Sequence, residues 1–292
     1  MRELSSDDVL VDVEWTGISS GTERLLWSGR MPDFPGMGYP LVPGYETVGR
    51  VCAQSASASV AAGTRVFVPG SHSYTDVRSL FGGAARRLVV EARRCVVLPD
   101  AVAESGTLLA LSATAYHAML GGQEAPDLIV GHGALGRLLA RLSLAMGAAA
   151  PVVWEREAGR RDGATGYPVV DPGDDDRRNY RRIFDVSGSV DVLDTLVQRL
   201  APGGEIVLAG FYEKPIQFAF APAFMKEARL RIAAQWQPSD LEAVVALVAS
   251  GRLELGGILT HSVDAGRPSD AYRQAFEDPD CLKMCLDWRS IS

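Results

Sequence analysis

The sequence is poor in cysteine and has no long hydrophobic run. Four cysteines in 292 residues do not make a disulfide framework, and reduced, buried thiols are the expected state. A run of about 18 or more apolar residues, which a membrane span needs, is missing. The first residues, MRELSSDD, lack the apolar core of a signal peptide. These features predict a cytoplasmic protein without a membrane span.

Excess positive charge is also missing, which argues against a nucleic-acid partner. The formal net charge is −7, and the chain has no basic stripe or tail. A hydrophobic content of 47% with 22% charged residues is typical of a soluble globular protein. The length of 292 residues suggests about two domains.

The most informative segment is the glycine-rich turn Gly131-His132-Gly133-Ala134-Leu135-Gly136. An apolar run at 127–130 precedes it, and an apolar helix at 137–145 continues from it. This order predicts a dinucleotide-binding βαβ unit. The first glycine makes a tight turn, the second lets the backbone approach a pyrophosphate, and the third allows helix and strand to pack closely. The N–H groups at the helix start would then hold the phosphate charge.

The residue that ends the next apolar run, Glu155, indicates NAD as the cofactor. It follows the run at 151–154 and stands nineteen residues after Gly136. Its carboxylate can accept hydrogen bonds from an adenosine ribose and would repel a 2′-phosphate. Arg156 weakens this preference for NAD, because an arginine there can receive a 2′-phosphate.

Apolar strands and helices continue to alternate after Glu155. Strands are predicted at 168–171, 182–188, 205–210 and 230–234, with a helix at 191–200. Together with the strands on either side of the glycine turn they make six, which predicts an α/β domain with a doubly wound parallel Rossmann sheet. Ligands of such sheets bind beyond the carboxyl ends of the strands. Ser187, Gly188, Gly210 and Phe211 are therefore predicted beside the cofactor.

The remaining segments predict a second, β-rich domain. Strands at 9–15, 48–52, 65–69 and 87–90 are separated by glycine and proline turns. Helices are predicted at 241–250 and 270–276 and a strand at 258–262, and 281–288 could close the β-rich domain, although Cys281 and Cys285 are four residues apart, as on a helix. The predicted domains are 1–100 with 251–292, and the inserted dinucleotide-binding domain 101–250.

This domain order and four short motifs resemble the medium-chain dehydrogenase/reductase superfamily. Residues 17–23 occupy the place of the family's G-I-C-G-T-D, and 43–46 that of P-G-H-E. Residues 81–85 resemble the G-G-x-A-E turn, and 112–118 the T-A-x-x-A interdomain helix. The resemblance covers nearly the whole chain, and it implies a GroES-like catalytic domain in addition to the Rossmann domain.

The positions of the family's zinc ligands are changed. Where zinc members have a cysteine and a histidine, this chain has Ser19 or Ser20 and Tyr45, and at the third position it offers Ala110 or Leu111. The four-cysteine lobe of a structural zinc is missing as well. Zinc needs three or four nitrogen, sulfur or oxygen ligands. The resemblance therefore implies an oxidoreductase without a metal site.

Within the superfamily, residues 21–46 and 221–234 resemble the 3-hydroxyethyl bacteriochlorophyllide a dehydrogenases. This implies NAD-dependent oxidation of a 1-hydroxyethyl group on a chlorin or bacteriochlorin pigment to an acetyl group, a late step of bacteriochlorophyll biosynthesis. Flat and polarizable side chains suit a planar ring, although a loop that covers the core would contain the same residues. The predicted substrate contacts are Trp27, Met31, Phe34, Met37 and Tyr39.

Without zinc, side chains must accept the carbinol proton and hold the oxygen. Tyr45 and Glu46 are the first candidates, because they lie where the family builds its site. Glu46 could act as a base if burial raises its pKa, or it could pair with an arginine. Thr22 and Glu23 are weaker candidates. His117 could shuttle a proton, although a lone histidine on an apolar helix is more often a core residue.

Other functions and partners remain compatible with these residues. The chain could be a zinc-free NAD(P)-dependent quinone or enone reductase, a non-catalytic dinucleotide sensor, or a pigment carrier. A cleft shared by the two domains is the expected site for a large substrate. A homodimer and peripheral association with a membrane are also compatible with the sequence.

Overall fold

The computed structural model describes residues 1–33, 36–121, 125–233 and 235–291, and the chain divides into two compact units. Unit 1 comprises Met1–Ala110 and Gly256–Ser292, and unit 2 comprises Leu111–Leu255. The sequence places these boundaries near residues 100 and 250. Unit 1 is therefore discontinuous in sequence, with all of unit 2 inserted into it.

The first part of unit 1 is a set of short strands around a valine-rich core. In the first strand Val9, Val11 and Val13 are buried, because alternate side chains of a strand point to one face. Val11 lies opposite Val51 on one neighbour and Leu88 on the other. The elements are β1 (Asp8–Ile18), α1 (Thr22–Trp27), β2 (Leu41–Pro43), β3 (Thr47–Gln54), β4 (Arg65–Val68), β5 (Arg78–Leu80), β6 (Arg87–Glu91) and β7 (Val96–Val97).

Unit 2 is a six-stranded parallel sheet with helices between the strands. The strands Leu128–Val130, Val152–Trp154 and Tyr180–Asp185 are almost wholly buried, as in a sheet covered on both faces. The elements are α2 (Leu109–Leu120), β8 (Leu128–Val130), α3 (Ala134–Ala145), β9 (Val152–Trp154), β10 (Val169–Val170), β11 (Tyr180–Asp185), α4 (Leu193–Arg199), β12 (Leu200–Leu208), α5 (Phe220–Met225), β13 (Arg229–Ile232) and α6 (Pro238–Ala249).

The strand order of unit 2, β10-β9-β8-β11-β12-β13, confirms the predicted doubly wound Rossmann sheet. The chain leaves β8 for β9 on one side and later returns to β11 on the other side. This reversal makes a switch point beyond the carboxyl ends of β8 and β11, where doubly wound sheets bind their ligands. The glycine-rich turn directly follows β8 and thus lies at this switch point.

The last segment returns to the sheet of unit 1. It contributes β14 (His261–Asp264), α7 (Pro268–Glu277) and β15 (Met284–Asp287). β15 pairs antiparallel with β1 and parallel with β14, so the segment at 281–288 does close the β-rich sheet. The helical placement of Cys281 and Cys285 is wrong, because Cys285 belongs to β15 and Cys281 to the turn before it. The strand predicted at 258–262 begins later, at His261.

No helix among the described residues is long and apolar enough to cross a membrane.

All four cysteines are free thiols. Cys281 and Cys285 are buried, Cys95 is half-buried, and Cys52 is exposed.

Candidate active site

The three glycines of the turn after β8 have three different surroundings. Gly131 adopts φ +106°, a conformation that glycine tolerates best. A Cβ on Gly136 would overlap the carbonyl oxygen of Gly131. A Cβ on Gly133 would meet no heavy atom of the described residues within 4 Å. The turn therefore has a glycine-favouring backbone conformation at Gly131, a tight packing contact at Gly136 and an open space at Gly133. A pyrophosphate cradle requires these three features.

The start of α3 provides donors for an anion. Gly133 is the N-cap of this 12-residue helix, and no side chain of the described residues caps it. The first N–H groups of a helix lack partners within the helix, and they carry the positive end of its dipole. Together with the open space at Gly133, these donors fit the phosphates of a dinucleotide. Ala134, Leu135 and Gly136 contribute these N–H groups.

Glu155 lies against the glycine turn. One carboxylate oxygen accepts a hydrogen bond from the backbone N–H of His132 at 3.0 Å, and the other accepts one from Glu157 N at 2.9 Å. The carboxylate thus stands within reach of a ligand on the turn, and it also fixes the turn. The sequence predicts Glu155 near the turn only because both would bind the same dinucleotide. It does not predict the direct hydrogen bond to the backbone of His132.

The side chain of His132 is part of the support under the turn. It is fully buried. Nδ1 lies 2.7 Å from the carbonyl oxygen of Arg160, which can only accept, so Nδ1 carries the proton and Nε2 accepts from the Tyr167 hydroxyl at 3.0 Å. Burial lowers the pKa of His132, which agrees with this neutral form. The buried Arg137 adds a bond to the carbonyl oxygen of His132 at 3.2 Å.

The loops after β11 and β12 join the glycine turn at the same sheet edge. Asp185 ends β11 and accepts hydrogen bonds from the backbone N–H and the hydroxyl of Ser187, at 2.9 and 2.7 Å. A Cβ on Gly131 would lie 3.3 Å from Ser187, and one on Gly210 would lie 3.3 Å from the nitrogen of Gly188. Phe211 is exposed. The predicted cofactor residues of unit 2 are therefore brought together.

Asp185 itself was not predicted, although it anchors this edge. It is fully buried, and burial raises the pKa of its carboxyl group. The Tyr212 hydroxyl donates to it at 2.8 Å. The sequence signal that could have found it is a lone acidic residue at the end of an apolar strand.

In unit 1, Tyr45 and Ser19 form a hydroxyl pair. The phenol of Tyr45 donates to Ser19 Oγ at 2.7 Å, and its ring meets Phe81 edge-on at a centroid distance of 5.1 Å. Thr22, at the start of α1, lies close enough to the phenol to lower its pKa. Burial, with the charge of Glu46 next to it, raises the pKa of Tyr45 well above its usual range. Tyr45 therefore stays a neutral phenol.

Glu46 is fully buried and pairs with a lysine rather than with the arginine that the sequence suggested. Its carboxylate lies 2.5 Å from Lys283 Nζ, just before β15. Burial raises the pKa of Glu46, and the charge of Lys283 opposes this shift. The backbone carbonyl of Glu46 accepts from Gly17 N at 2.9 Å, which ties it to β1.

Glu23 is a second buried carboxylate close to this pair. It is 2% exposed, and it accepts hydrogen bonds from the Tyr272 hydroxyl at 2.6 Å and from Ser19 N at 3.3 Å. Burial, with the nearby charge of Glu46, raises the pKa of Glu23 to about 7. The sequence indicates Glu23 only as a weak candidate. It does not predict Tyr272 and Lys283 as its neighbours, because they are more than 200 residues away in the chain.

His117 is paired rather than lone. In unit 2 its Nδ1 lies 2.8 Å from Asp240 Oδ2, which connects α2 to α6. The same oxygen accepts from Gln237 N at 2.7 Å in a capping box at the start of α6. Asp240 thus both caps a helix and fixes the imidazole, and the sequence did not predict this contact.

The predicted substrate residues differ in exposure. Trp27 is 53% exposed, and its ring stacks on Tyr272 at a centroid distance of 5.6 Å and an interplanar angle of 6°. Tyr39 is 57% exposed, and its hydroxyl donates to the carbonyl oxygen of Leu26 at 2.6 Å. These two rings present apolar surface to solvent.

The other predicted substrate residues lie deeper or outside the described part of the chain. Met31 is 8% exposed and belongs to a hydrophobic cluster with Leu25, Leu26 and Leu80. Met37 is half-buried and packs against that cluster. Phe34 lies outside the described residues.

The positions of the family's zinc ligands do not fit a zinc ion. Ser19 and Tyr45 bond to each other, and the third position carries Ala110 or Leu111. Zinc favours thiolate, imidazole and carboxylate ligands. Within the described ranges, no group of three or more histidine, cysteine, aspartate or glutamate residues could hold a metal ion.

Comparison with solved structures identifies the same fold. A short chain alcohol dehydrogenase from Escherichia coli CFT073, complexed with NADH, superposes with a TM-score of 0.82 at 20% identity, over 99% of this chain and 94% of that chain. A putative zinc-binding dehydrogenase from Sinorhizobium meliloti, bound to NADP, gives 0.82 at 20% identity over 98% and 94%. At these identities the likeness shows the fold alone.

Comparison of sequences goes further. Residues 5–100 match the alcohol dehydrogenase GroES-like domain family. The 2-desacetyl-2-hydroxyethyl bacteriochlorophyllide A dehydrogenase of Rhodobacter capsulatus is 56% identical over 97% of this chain and 90% of its own length. The enzyme of the same name from Cereibacter sphaeroides is 55% identical over 100% and 94%. The chain therefore belongs to the bacteriochlorophyllide a dehydrogenase family, within the medium-chain dehydrogenase/reductase superfamily.

Proposed function

We propose that this chain oxidises the 1-hydroxyethyl group of a bacteriochlorophyllide-type macrocycle to an acetyl group, in bacteriochlorophyll biosynthesis. The observation that carries the proposal is the 56% identity, over 97% of the chain, to a relative named for that substrate. The local geometry supports it. Unit 2 offers a dinucleotide cradle at Gly131–Gly136, and unit 1 offers the Tyr45–Ser19 hydroxyl pair for a carbinol oxygen.

The proposed cofactor is NAD, which would supply the hydride acceptor. The open space at Gly133 and the donors at the start of α3 fit its pyrophosphate. Glu155 would hold the adenosine ribose and repel the 2′-phosphate of NADP. The solved relatives hold NADH in one case and NADP in another, so they support a nicotinamide dinucleotide without choosing between the two.

The proposed proton path begins at the Tyr45–Ser19 pair. Oxidation of the carbinol removes a hydride from carbon and a proton from oxygen, and it leaves a C=O bond. The carbinol proton passes to Tyr45 Oη while the phenol proton passes to Ser19 Oγ, and the serine proton passes to a water molecule. Thr22, at the start of α1 and close to the phenol, would help to hold the carbinol oxygen. His117 keeps its predicted role as an alternative proton acceptor.

Glu46 we propose to be structural rather than a base. Its carboxylate is fully buried against Lys283, and its backbone is tied to β1. A base must reach the proton that it removes. The ion pair instead fixes the segment between β2 and β3 that carries Tyr45.

We further propose that turnover needs no zinc, because Ser19, Tyr45 and Ala110 cannot replace a cysteine, a histidine and a third ligand. The measurement is metal content of the purified protein, together with turnover after chelation and removal of the chelator before pigment is added. Activity that is lost with the chelator and restored by zinc would contradict this proposal.

The macrocycle is proposed to lie against the exposed rings of Trp27 and Tyr39. Phe34, which the sequence also predicts as a contact, lies outside the described residues. Stacking on flat aromatic surface is a favourable contact for a planar ring. Met31 and Met37 would support this surface from the hydrophobic cluster that they form with Leu25, Leu26 and Leu80.

A cytoplasmic location and peripheral association with a membrane are also part of the proposal.

A homodimer is also part of the proposal. Large apolar side chains are exposed on α5 and on β13, which pairs with β12 alone among the described strands and forms the edge of the sheet. Unpaired edges with exposed apolar side chains are normally covered. A second copy of the chain would cover Phe220, Phe224, Met225 and Ile232, which are 66–78% exposed.

The test of the main activity is incubation of the purified protein with a 3-(1-hydroxyethyl) bacteriochlorophyllide and NAD. We expect NADH and the acetyl pigment to form in equal amounts. The matched control is Tyr45→Phe, which removes the hydroxyl and should lower kcat by about a hundredfold while NAD affinity stays near that of the unaltered protein. Pigment binding without NADH formation would identify a carrier, and turnover of quinones but not of the pigment would identify the reductase alternative.

A further inference from the structure

Four ionisable side chains from distant parts of the chain meet in the interior of unit 1. Glu23 is 2% exposed, Glu46 0%, Lys283 3% and Tyr272 9%. They come from α1, from the segment between β2 and β3, from the turn before β15, and from α7. The cluster holds two carboxylates and one ammonium group, and Lys283 lies on Glu46. Buried charges are normally paired. Because Lys283 pairs with Glu46, it does not directly neutralise the charge of Glu23.

We propose that Glu23 is a positioning residue of the dehydrogenase site: it clamps Ser19, and its negative charge assists the passage of a proton through the Tyr45–Ser19 hydroxyl pair. This inference rests on the proposed function and identifies a group behind that pair which regulates it.

The clamp consists of two hydrogen bonds between the same two residues. The backbone N–H of Glu23 donates to the carbonyl oxygen of Ser19 at 2.9 Å, and a carboxylate oxygen of Glu23 accepts from Ser19 N at 3.3 Å. Ser19 Oγ is the acceptor for the Tyr45 hydroxyl at 2.7 Å. The position of Glu23 therefore fixes the partner of Tyr45, and Tyr272 fixes Glu23 from the other side at 2.6 Å.

The charge of Glu23 also reaches Tyr45. Burial raises the pKa of Glu23 to about 7, with Glu46 adding to the shift and the Tyr272 hydroxyl and Lys283 opposing it. Glu23 thus changes charge in the neutral range. Ionised Glu23 raises the pKa of Tyr45, because a negative charge nearby favours the neutral phenol. Ionised Glu23 also stabilises the positive charge that develops on the hydroxyl pair while the carbinol proton passes through it to water, so proton transfer becomes easier as pH rises through about 7.

The first experiment needs no pigment. In protein labelled with carbon-13 at tyrosine Cζ, the Tyr45 signal is assigned by its absence in Tyr45→Phe, and its chemical shift is followed against pH. We expect a step in this shift with a midpoint near 7, and we expect that step to be lost in Glu23→Gln. In Tyr272→Phe the midpoint should rise by about one pH unit, the size of a lost hydrogen bond to a charged group.

The second experiment measures the pH profile of kcat/KM for the pigment. The unaltered protein should show a rise through about pH 7, Tyr272→Phe a rise at higher pH, and Glu23→Gln no such step. A merely structural role would change Tm in the variants without moving the profile. If Glu23→Gln does not fold, Tyr272→Phe carries the test, because it keeps the carboxylate and the ring that stacks on Trp27.

The outcomes separate this inference from the proposed function. If the unaltered protein does not oxidise the pigment, the proposed function fails, and the Tyr45 signal still decides whether Glu23 controls its hydroxyl. If the pigment is oxidised but Glu23→Gln or Tyr272→Phe keeps the original pH profile, the positioning role is overturned. A Tyr45 signal that does not titrate near neutrality in the unaltered protein also overturns it.

Discussion

Gly133 and Gly136 stand three residues apart in one turn, but the space around them differs. A side chain at Gly133 would enter the open space proposed for the pyrophosphate, whereas one at Gly136 would overlap the backbone of Gly131. We expect Gly133→Val to abolish NAD binding with little change in Tm, because its φ of −73° is allowed for any residue. Gly136→Ala should lower the free energy of unfolding by about 1–3 kcal/mol. Calorimetric titration with NAD and denaturant unfolding measure the two effects.

The two variants are controls for each other. NAD binding by Gly133→Val with unchanged affinity would place the pyrophosphate elsewhere. A Gly136→Ala protein as stable as the original would mean that the contact with Gly131 relaxes at no cost.

Glu155 should decide between the two dinucleotides. Glu155→Ala removes the acceptor of two backbone N–H groups and the proposed ribose ligand. We expect NAD affinity to fall about tenfold or more, since a hydrogen bond to a charged group contributes about 1.5–3 kcal/mol, and NADP affinity to rise. Parallel titrations with NAD and NADP measure this, with Arg156→Ala as the matched control, which should weaken NADP. Tighter binding of NADP than NAD by the unaltered protein would refute the assignment.

At the scale of elements, the sequence predicts strands well where one or both faces are buried. The alternation in β1 and the apolar runs of β8, β9 and β12 are local patterns, and the structure has strands there. The return of β15 to β1 depends on a contact between Trp15 and Asp287 that no local pattern contains. Cys281 and Cys285 were misplaced because an apolar spacing of four suits a helix as well as a turn followed by a buried strand.

The candidate site was predictable only in part for the same reason. The glycine turn and Tyr45 are local motifs, so the sequence identifies them. The partners that set their chemistry, Lys283, Tyr272 and Asp240, come from distant elements. A buried carboxylate is visible in the sequence only as an acidic residue, and its charge state depends on which groups fold around it.

The segment that starts with α1 contains both exposed rings and buried methionine. Trp27 is 53% exposed, whereas Met31 is 8% exposed. Trp27→Ala should raise the KM for the pigment and leave Tm and NAD affinity nearly unchanged. Met31→Ala should instead lower the free energy of unfolding by about 2–5 kcal/mol, as truncation in a core does. Steady-state kinetics and denaturant unfolding of both variants check this. Normal pigment KM in Trp27→Ala would show that the ring is not a substrate contact.

At the scale of the whole molecule, the exposed apolar surface on α5 and β13 predicts a dimer that charge would break. Phe224→Glu or Ile232→Asp should halve the mass measured by light scattering, because a buried unpaired carboxylate opposes association. Met146→Glu is the control, since Met146 is an exposed apolar residue outside these two elements and should leave the mass unchanged. A monomeric original protein would contradict the prediction.

The pH dependence of stability belongs to the whole chain as well. The pKa of Glu23 is about 7 in the folded protein against an ordinary 4.5, so the folded state binds more protons between these values. The contribution of Glu23 to the free energy of unfolding should therefore be largest below about pH 4.5. It should fall as pH rises to about 7 and stay constant above that pH. The loss is roughly 3 kcal/mol. Burial raises the pKa of Glu46 too and gives the same sign.

Urea unfolding at a series of pH values measures this dependence. Glu23→Gln should show a smaller decrease between pH 4.5 and 7 than the unaltered protein. Glu277→Gln, at an exposed position of α7, should keep the full decrease. Equal slopes in Glu23→Gln and the unaltered protein would contradict the prediction.

The discontinuity of unit 1 has a consequence for biosynthesis. Unit 2 is contiguous at Leu111–Leu255, so the ribosome completes it while β14 and β15 are still unmade. Domains fold as units during synthesis. β1 must wait for its partner β15, and Glu46 for Lys283, until residues 283–287 leave the exit tunnel. The nascent chain thus carries an open sheet edge and an unpaired interior carboxylate through most of translation, and we expect chaperones to engage its first hundred residues rather than the inserted unit.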